Sequence, residues 1–252
     1  MRAVAAAATQ PLLILRTLLP TPFSKPASSS LSTHQNPLPP QPSLSPQQLT
    51  QINLLIPRLC QRPDHLPHVA RLLDSILLLP NPPPLTSLSL PILIHSLTSS
   101  SDISLSMSLL TRLGRNPRAG PHLLPIAHLL LASYLRARKP RDAMSIFRWM
   151  SRPENSQWGK VNGSTYGMAV TGFCRNGRTL EALKVLRGMV SAGVAPEEDV
   201  RGWVYRSLLR EARVKEAVEL DGALGRVREG GKGGDRDAAV ELMDQMVRDW
   251  RE

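Results

Sequence analysis

The feature that most constrains this chain is a helical pattern of small and apolar residues that returns about every 37 residues. In each copy, an anchor residue is followed by further apolar residues one, three, four and seven places later. A period of this size is typical of proteins whose repeats stack into a solenoid. Successive anchors lie 37, 37, 39, 35 and 22 residues apart. The anchors are Val69, Ser106, Ala143, Ala182, Ala217 and Ala239.

A second helical stripe precedes most of these anchors, with apolar residues at i, i+3, i+4 and i+7. It begins 16 residues before the anchor at Leu90, Ala127 and Tyr166. Ile52 starts a similar stripe one residue out of this register, and Arg201 places a charge at the first position. Each unit is therefore predicted to be two amphipathic helices. Since an isolated pair would leave apolar faces uncovered, the units are expected to stack.

Residues 163–197 form the most specific unit. They contain TYGMAVTGFCRNGR from position 165, then Glu181-Ala182-Leu183, Met189 and AGVAPE from position 192. This unit resembles a plant pentatricopeptide repeat. Tetratricopeptide repeats share the two-helix plan, but the turn at 173–178 and the ending at 193–196 favour the pentatricopeptide form. The resemblance implies an all-α fold, a right-handed α-solenoid of stacked helix-turn-helix repeats.

The N-terminal region has a different composition from the repeats. The first acidic residue is Asp64, and serine is abundant from Ser24 to Ser32. An acid-poor, basic and hydroxylated leader is typical of organellar transit peptides, and we expect a mitochondrial destination, with the plastid as the alternative. Gln10, Pro11 and Arg16 interrupt the apolar core that a secretory signal requires. We predict a disordered leader with a transit peptide over 1–35, a proline-rich linker over 36–48, pentatricopeptide-like repeats over 49–232 and a C-terminal helix over 233–252.

Catalytic motifs are not found in the sequence. A zinc-dependent cytidine deaminase needs His-x-Glu and Cys-x-x-Cys, whereas this chain has only Cys60 and Cys174 and no His-x-Glu. The six histidines are scattered without the spacing of a metal site. The glycines flanking Lys232 lack the spacing of a phosphate-binding loop and indicate a flexible joint. We therefore expect a non-enzymatic protein without a cofactor or a metal.

The positive charge is concentrated in the middle repeats. The net charge is +4 over residues 1–100, +7 over 101–200 and zero over 201–252. Arg136, Arg175 and Arg210 recur 39 and 35 residues apart, each nine places after the start of its first-helix stripe. Such a row is suited to the phosphates of a single-stranded nucleic acid. The alternative is that these arginines interact with helix C-termini and remain solvated.

The resemblance also implies two base-reading positions in each repeat, one early in the first helix and one at the last place of the repeat. Gly167 and Glu197 occupy them in the best unit, His128 and Asn162 in the unit before it, and Gly202 the early position in the unit after it. Because glycine has no side chain to reach a base edge, we do not expect sequence-specific reading at the two repeats that have glycine at the early position.

Two functions remain open from the sequence. The first is an organellar adaptor that binds single-stranded RNA along the concave face of the solenoid and acts in RNA processing, splicing, editing or translation. The second is a protein-interaction scaffold, such as a subunit of the mitochondrial ribosome or of an RNA-processing complex. Neither involves insertion into a membrane, since no run of about 20 apolar residues is present.

Overall fold

A computed structural model describes residues 44–228 and 233–250. Within these residues the fold is all-α, as predicted, with eleven α-helices and no strand. The handedness of the solenoid stays a prediction, and the proposed transit peptide lies outside the described residues. The helices are α1 (Pro46–Cys60), α2 (Leu66–Leu77), α3 (Leu90–Ser99), α4 (Ser104–Gly114), α5 (Gly120–Arg136), α6 (Pro140–Met150), α7 (Gly163–Arg175), α8 (Thr179–Ser191), α9 (Glu198–Arg210), α10 (Val214–Arg228) and α11 (Gly233–Asp249).

The helices pair into five units, and the odd-numbered member of each pair is the predicted first helix. The first helices α1, α3, α5, α7 and α9 form one layer in which each helix packs against the next. Each second helix, α2, α4, α6, α8 or α10, packs against the first helix of its own unit. The two stripes in the sequence therefore correspond to the buried faces of the first helix and of the second helix of each unit.

The buried core coincides with these stripes. Tyr134 and Phe173 are fully buried, and Tyr166 is 8% exposed. These three aromatic side chains therefore pack in the core and are not platforms for bases. Ser106, the one hydroxyl among the anchors, is also fully buried. Its Oγ lies 2.9 Å from the phenolic oxygen of Tyr134, so the hydrogen bond compensates the desolvation of both groups.

The first helix begins earlier than the sequence indicated. Residues 46–48 belong to the predicted linker but form the first turn of α1. Ser45 and Gln48 make a reciprocal capping box, and Pro46 occupies the first helical position, where its missing N–H costs nothing. The proline-rich composition suggested a linker, whereas this local capping pattern determines a helix start.

The turns between paired helices share a left-handed residue. Arg138, Gly177 and Ala212 occupy the same place in three successive units, with φ angles of 58°, 66° and 58°. Only Gly177 adopts this conformation without a steric penalty. The repeat geometry thus imposes the turn even where the sequence is unfavourable.

The last helix breaks the two-helix pattern. Helix α11, which carries the anchor Ala239, packs against α8 and α10 without a first helix of its own. This explains the short final spacing of 22 residues. Arg201, the charge at the first position of the fifth stripe, forms an ion pair with Asp221 of α10 at 2.9 Å. The charge thus joins the two helices of the fifth unit.

Replacing Ala182 with Asp tests this packing. Ala182 is fully buried on α8, so the substitution would place an unpaired carboxylate in the seam between helices. We expect a loss of about 3 kcal/mol or more in the free energy of unfolding, measured by urea denaturation. Ala238→Asp is the matched control, since Ala238 is exposed on α11 and should tolerate the same change. Equal stability of the two variants would contradict the assigned register.

Candidate nucleic-acid interface

The solvent-facing side of the first-helix layer is the candidate interface. Helices α1, α3, α5 and α7 contain no Asp or Glu. Arg58, Arg136 and Arg175 lie in the last turns of α1, α5 and α7. Because the first helices stack side by side in the same direction, these cations follow one edge of the layer. The first helices of four successive units thus present a surface without carboxylates, which favours an anionic partner.

The three arginines of the predicted row differ in their surroundings. Arg136 is exposed and has no hydrogen bond or ion pair to the described residues. The Arg175 guanidinium carbon lies 4.7 Å from the centroid of the Trp203 ring. Arg210 donates a hydrogen bond of 2.9 Å to the carbonyl oxygen of Cys174, near the C-terminus of α7. Arg210 therefore fits the helix-terminus alternative, while Arg136 keeps its charge available.

A cleft of about 760 Å³ brings several predicted site residues together. It opens between α5, α7 and the start of α9. Arg136, Arg175, Gly167 and Glu197 all line it, and the positively charged Arg138 joins them. The cations lie towards the C-terminal ends of α5 and α7, whereas Glu197 directly precedes α9. The cleft is therefore cationic along one edge and acidic at the opposite end.

The comparisons with known proteins address the same region. Residues 160–190, which cover α7 and most of α8, match the family model described as PPR repeat. This segment of the chain is therefore similar to a pentatricopeptide repeat. No curated protein matches it significantly.

The two predicted base-reading positions of this unit are Gly167 and Glu197, and only Glu197 has a side chain to offer. A Cβ atom at Gly167 would lie 3.2 Å from Cγ2 of Val200, so Gly167 permits the close approach of α7 and α9. Glu197 is exposed, and its side chain makes no hydrogen bond to cap α9. The carboxylate of Glu197 therefore lines the cleft, whereas Gly167, the other predicted base-reading position of this unit, offers only backbone.

Two of the three predicted positions in the neighbouring units, His128 and Asn162, contribute to the structure of the repeats. The Nδ1 atom of His128 lies 3.0 Å from Oγ1 of Thr165, in the seam between α5 and α7. Asn162 accepts a hydrogen bond of 2.9 Å from the backbone N–H of Thr165 and so caps α7. Gly202 has open space, since its nearest neighbour would be the Arg206 guanidinium at 3.8 Å. For all three residues, a role in RNA reading stays a prediction.

Trp203 is a candidate functional residue that the sequence patterns did not identify. Its ring lies 4.7 Å from the Arg175 guanidinium carbon and 4.9 Å from that of Arg206. This aromatic and its two cations stand at the surface of the layer, where stacking and phosphate contacts are both possible. In the sequence, Trp203 lies two residues after Arg201, which begins the fifth first-helix stripe. This position is not part of the buried stripe, so the ring could have been expected at the surface.

The remaining side chains that could be nucleophiles or metal ligands are either buried in the core or too far from one another to form a site. Cys174 is fully buried, and burial raises the pKa of its thiol to about 11, so it stays protonated and unreactive at neutral pH. Within residues 44–228 and 233–250, no three His, Cys, Asp or Glu side chains are close enough to hold a metal ion. In the same part of the chain, no helix combines the length and the hydropathy of a membrane span.

Single substitutions distinguish the capping arginine from the free one. Arg210→Ala removes a charged donor from the C-terminus of α7, so we expect the free energy of unfolding to fall by about 1 kcal/mol. Arg136→Ala should change it by less than about 0.5 kcal/mol. Urea denaturation followed by circular dichroism measures both. A larger loss for Arg136→Ala than for Arg210→Ala would contradict these roles.

Proposed function

We propose that this protein is a non-catalytic adaptor that binds single-stranded RNA along the first-helix layer in a plant organelle, where it acts in RNA processing, splicing, editing or translation. The pentatricopeptide match supports RNA as the ligand. The observation that carries the proposal is the edge of cations on helices without carboxylates, which meets the cleft between α5 and α9.

The geometry favours contact with the backbone of the RNA over reading of its bases. Arg136 and Arg175 are exposed at the same edge, one repeat apart, so they can meet phosphates of one strand. Gly167 offers no side chain to a base edge, and the side chains of His128 and Asn162 already make hydrogen bonds within the fold. Affinity is therefore mainly electrostatic, with weak sequence preference.

The double variant Arg136→Ala/Arg175→Ala tests this mode of binding. Binding of the full chain to a fluorescent single-stranded RNA of mixed sequence is measured by anisotropy at several salt concentrations. We expect weaker binding at low salt and a log–log salt slope that is shallower by about 1.4, since about 0.7 is lost per phosphate contact.

The matched control is Arg141→Ala/Arg148→Ala on the second helix α6, where both arginines are exposed. This control removes the same charge from a different face, so the RNA affinity should change little. An equal loss in both double variants would show a general charge effect and overturn the proposed face. No RNA binding by the full chain at low salt would overturn the proposed function itself.

The composition of residues 1–35 supports an organellar destination, with the mitochondrion favoured over the plastid. We expect a C-terminal fluorescent fusion of the full chain to co-localise with a mitochondrial marker in plant cells. The same fusion without residues 1–35 should remain in the cytosol, because the basic, acid-free segment is removed. Identical distributions of the two fusions would contradict the transit-peptide assignment.

A further inference from the structure

An exposed apolar row runs along the first-helix layer, separate from the arginine row. Its members lie two places after the start of each first-helix stripe and recur 38, 37, 39 and 35 residues apart. Leu54, Ile92 and Leu129 are 57%, 44% and 38% exposed. The last two members, Met168 and Trp203, are half-buried. We call Leu54, Ile92 and Leu129 the aliphatic row.

Local packing does not explain the aliphatic row. All three side chains point away from the buried stripes, which already supply the core of units one to three. An isolated exposed apolar residue is ordinary, whereas three in the same place of successive repeats form a continuous surface feature. Such a feature is typical of an interaction site.

The surroundings of the row indicate the charge of its partner. Arg58 lies one turn after Leu54, and His95 lies three residues after Ile92, both exposed. The helices that carry the row contain no carboxylate. A partner with an apolar stripe and acidic residues along one side would match this surface.

The spacing of the row matches an α-helix that crosses the units. Packed helices lie about 8–10 Å apart, so successive members of the row are separated by about that distance. Seven residues of an α-helix rise about 10.5 Å. A helix with an apolar residue at every seventh position therefore presents one side chain to each unit.

RNA fits this part of the layer less well. Leucine and isoleucine lack the aromatic face on which bases stack. The places equivalent to Arg136 in units one and two are Gln61 and Ser99, so the arginine row does not extend beside Leu54 and Ile92. The arginine row and the aliphatic row thus overlap only in unit three, where Leu129 and Arg136 share helix α5.

We propose that the aliphatic row is the docking site for an amphipathic α-helix of a partner protein, with apolar residues at heptad spacing and acidic residues on one flank. Together with the arginine edge of units three and four, it would give the protein adjoining surfaces for a protein helix and for RNA, which meet on helix α5. This inference does not depend on RNA binding.

The test uses the full chain and three synthetic peptides of about three heptads each. The probe peptide has leucine at every seventh position and glutamate on one flank. The second peptide has the same composition with the leucines out of heptad spacing, and the third has lysine in place of glutamate. Fluorescence anisotropy should show binding of the probe peptide and affinity lower by about tenfold or more for the other two. Equal binding of all three peptides would overturn the proposal.

The triple variant Leu54→Gln/Ile92→Gln/Leu129→Gln should bind the probe peptide about tenfold or more weakly and keep the RNA affinity of the wild type. Because the three positions are exposed, circular dichroism should show an unchanged unfolding midpoint. The matched control is Leu209→Gln/Val214→Gln/Val218→Gln, which replaces three equally exposed apolar residues away from the row and should bind the peptide normally.

Three results would overturn the proposal. One is equal peptide affinity in the wild type and the triple variant of the row. Another is a loss of RNA affinity in that variant with peptide binding intact, which would assign the row to the RNA surface. The third is peptide binding that occurs only after removal of residues 1–43, which would assign the row to a segment of the chain itself.

Discussion

The side-by-side packing of the five first helices is the contact on which the rest of the structure depends, because it sets the distance and direction of every exposed side chain on that layer. Hydrogen bonds between adjacent units reinforce this packing. Lys139 donates to the carbonyl oxygens of Thr98 and Ser100 at the end of α3, and Asn176 donates to that of Leu135 in α5. Arg210 does the same for α7. Units three, four and five thus each donate a side-chain hydrogen bond to carbonyls at the C-terminal end of the preceding first helix.

Several side chains that were predicted to contact a ligand instead make hydrogen bonds at helix ends and between adjacent helices. His128 and Asn162, at predicted base-reading positions, hydrogen-bond to Thr165, and Gly167 permits the close approach of α7 and α9. What remains free is the charge of Arg136 and the Arg175–Trp203–Arg206 cluster. A surface of this kind can hold a phosphate backbone firmly while it discriminates little between bases.

The proposed functions divide the layer along its length. The N-terminal units carry exposed aliphatic residues, and the arginine edge strengthens from the third unit onwards. One uninterrupted layer can therefore present two chemically different surfaces at a fixed separation. An adaptor needs this property, since the packing of the first helices would fix the position of a protein partner relative to the RNA.

The helix pairs, their stacking and the buried residues could be predicted from the sequence, because the apolar spacing of 3.6 residues and the period near 37 follow from helix geometry and burial. The sequence also indicated the alternatives for the arginine row, without distinguishing Arg136 from Arg210. Three features became visible only in the folded protein: Arg210 caps α7, Trp203 lies against Arg175, and Leu54, Ile92 and Leu129 are all exposed on the first-helix layer. The physical reason is that these roles depend on contacts between units about 35 residues apart, and the spacing within one helix does not specify which side chains meet across a seam.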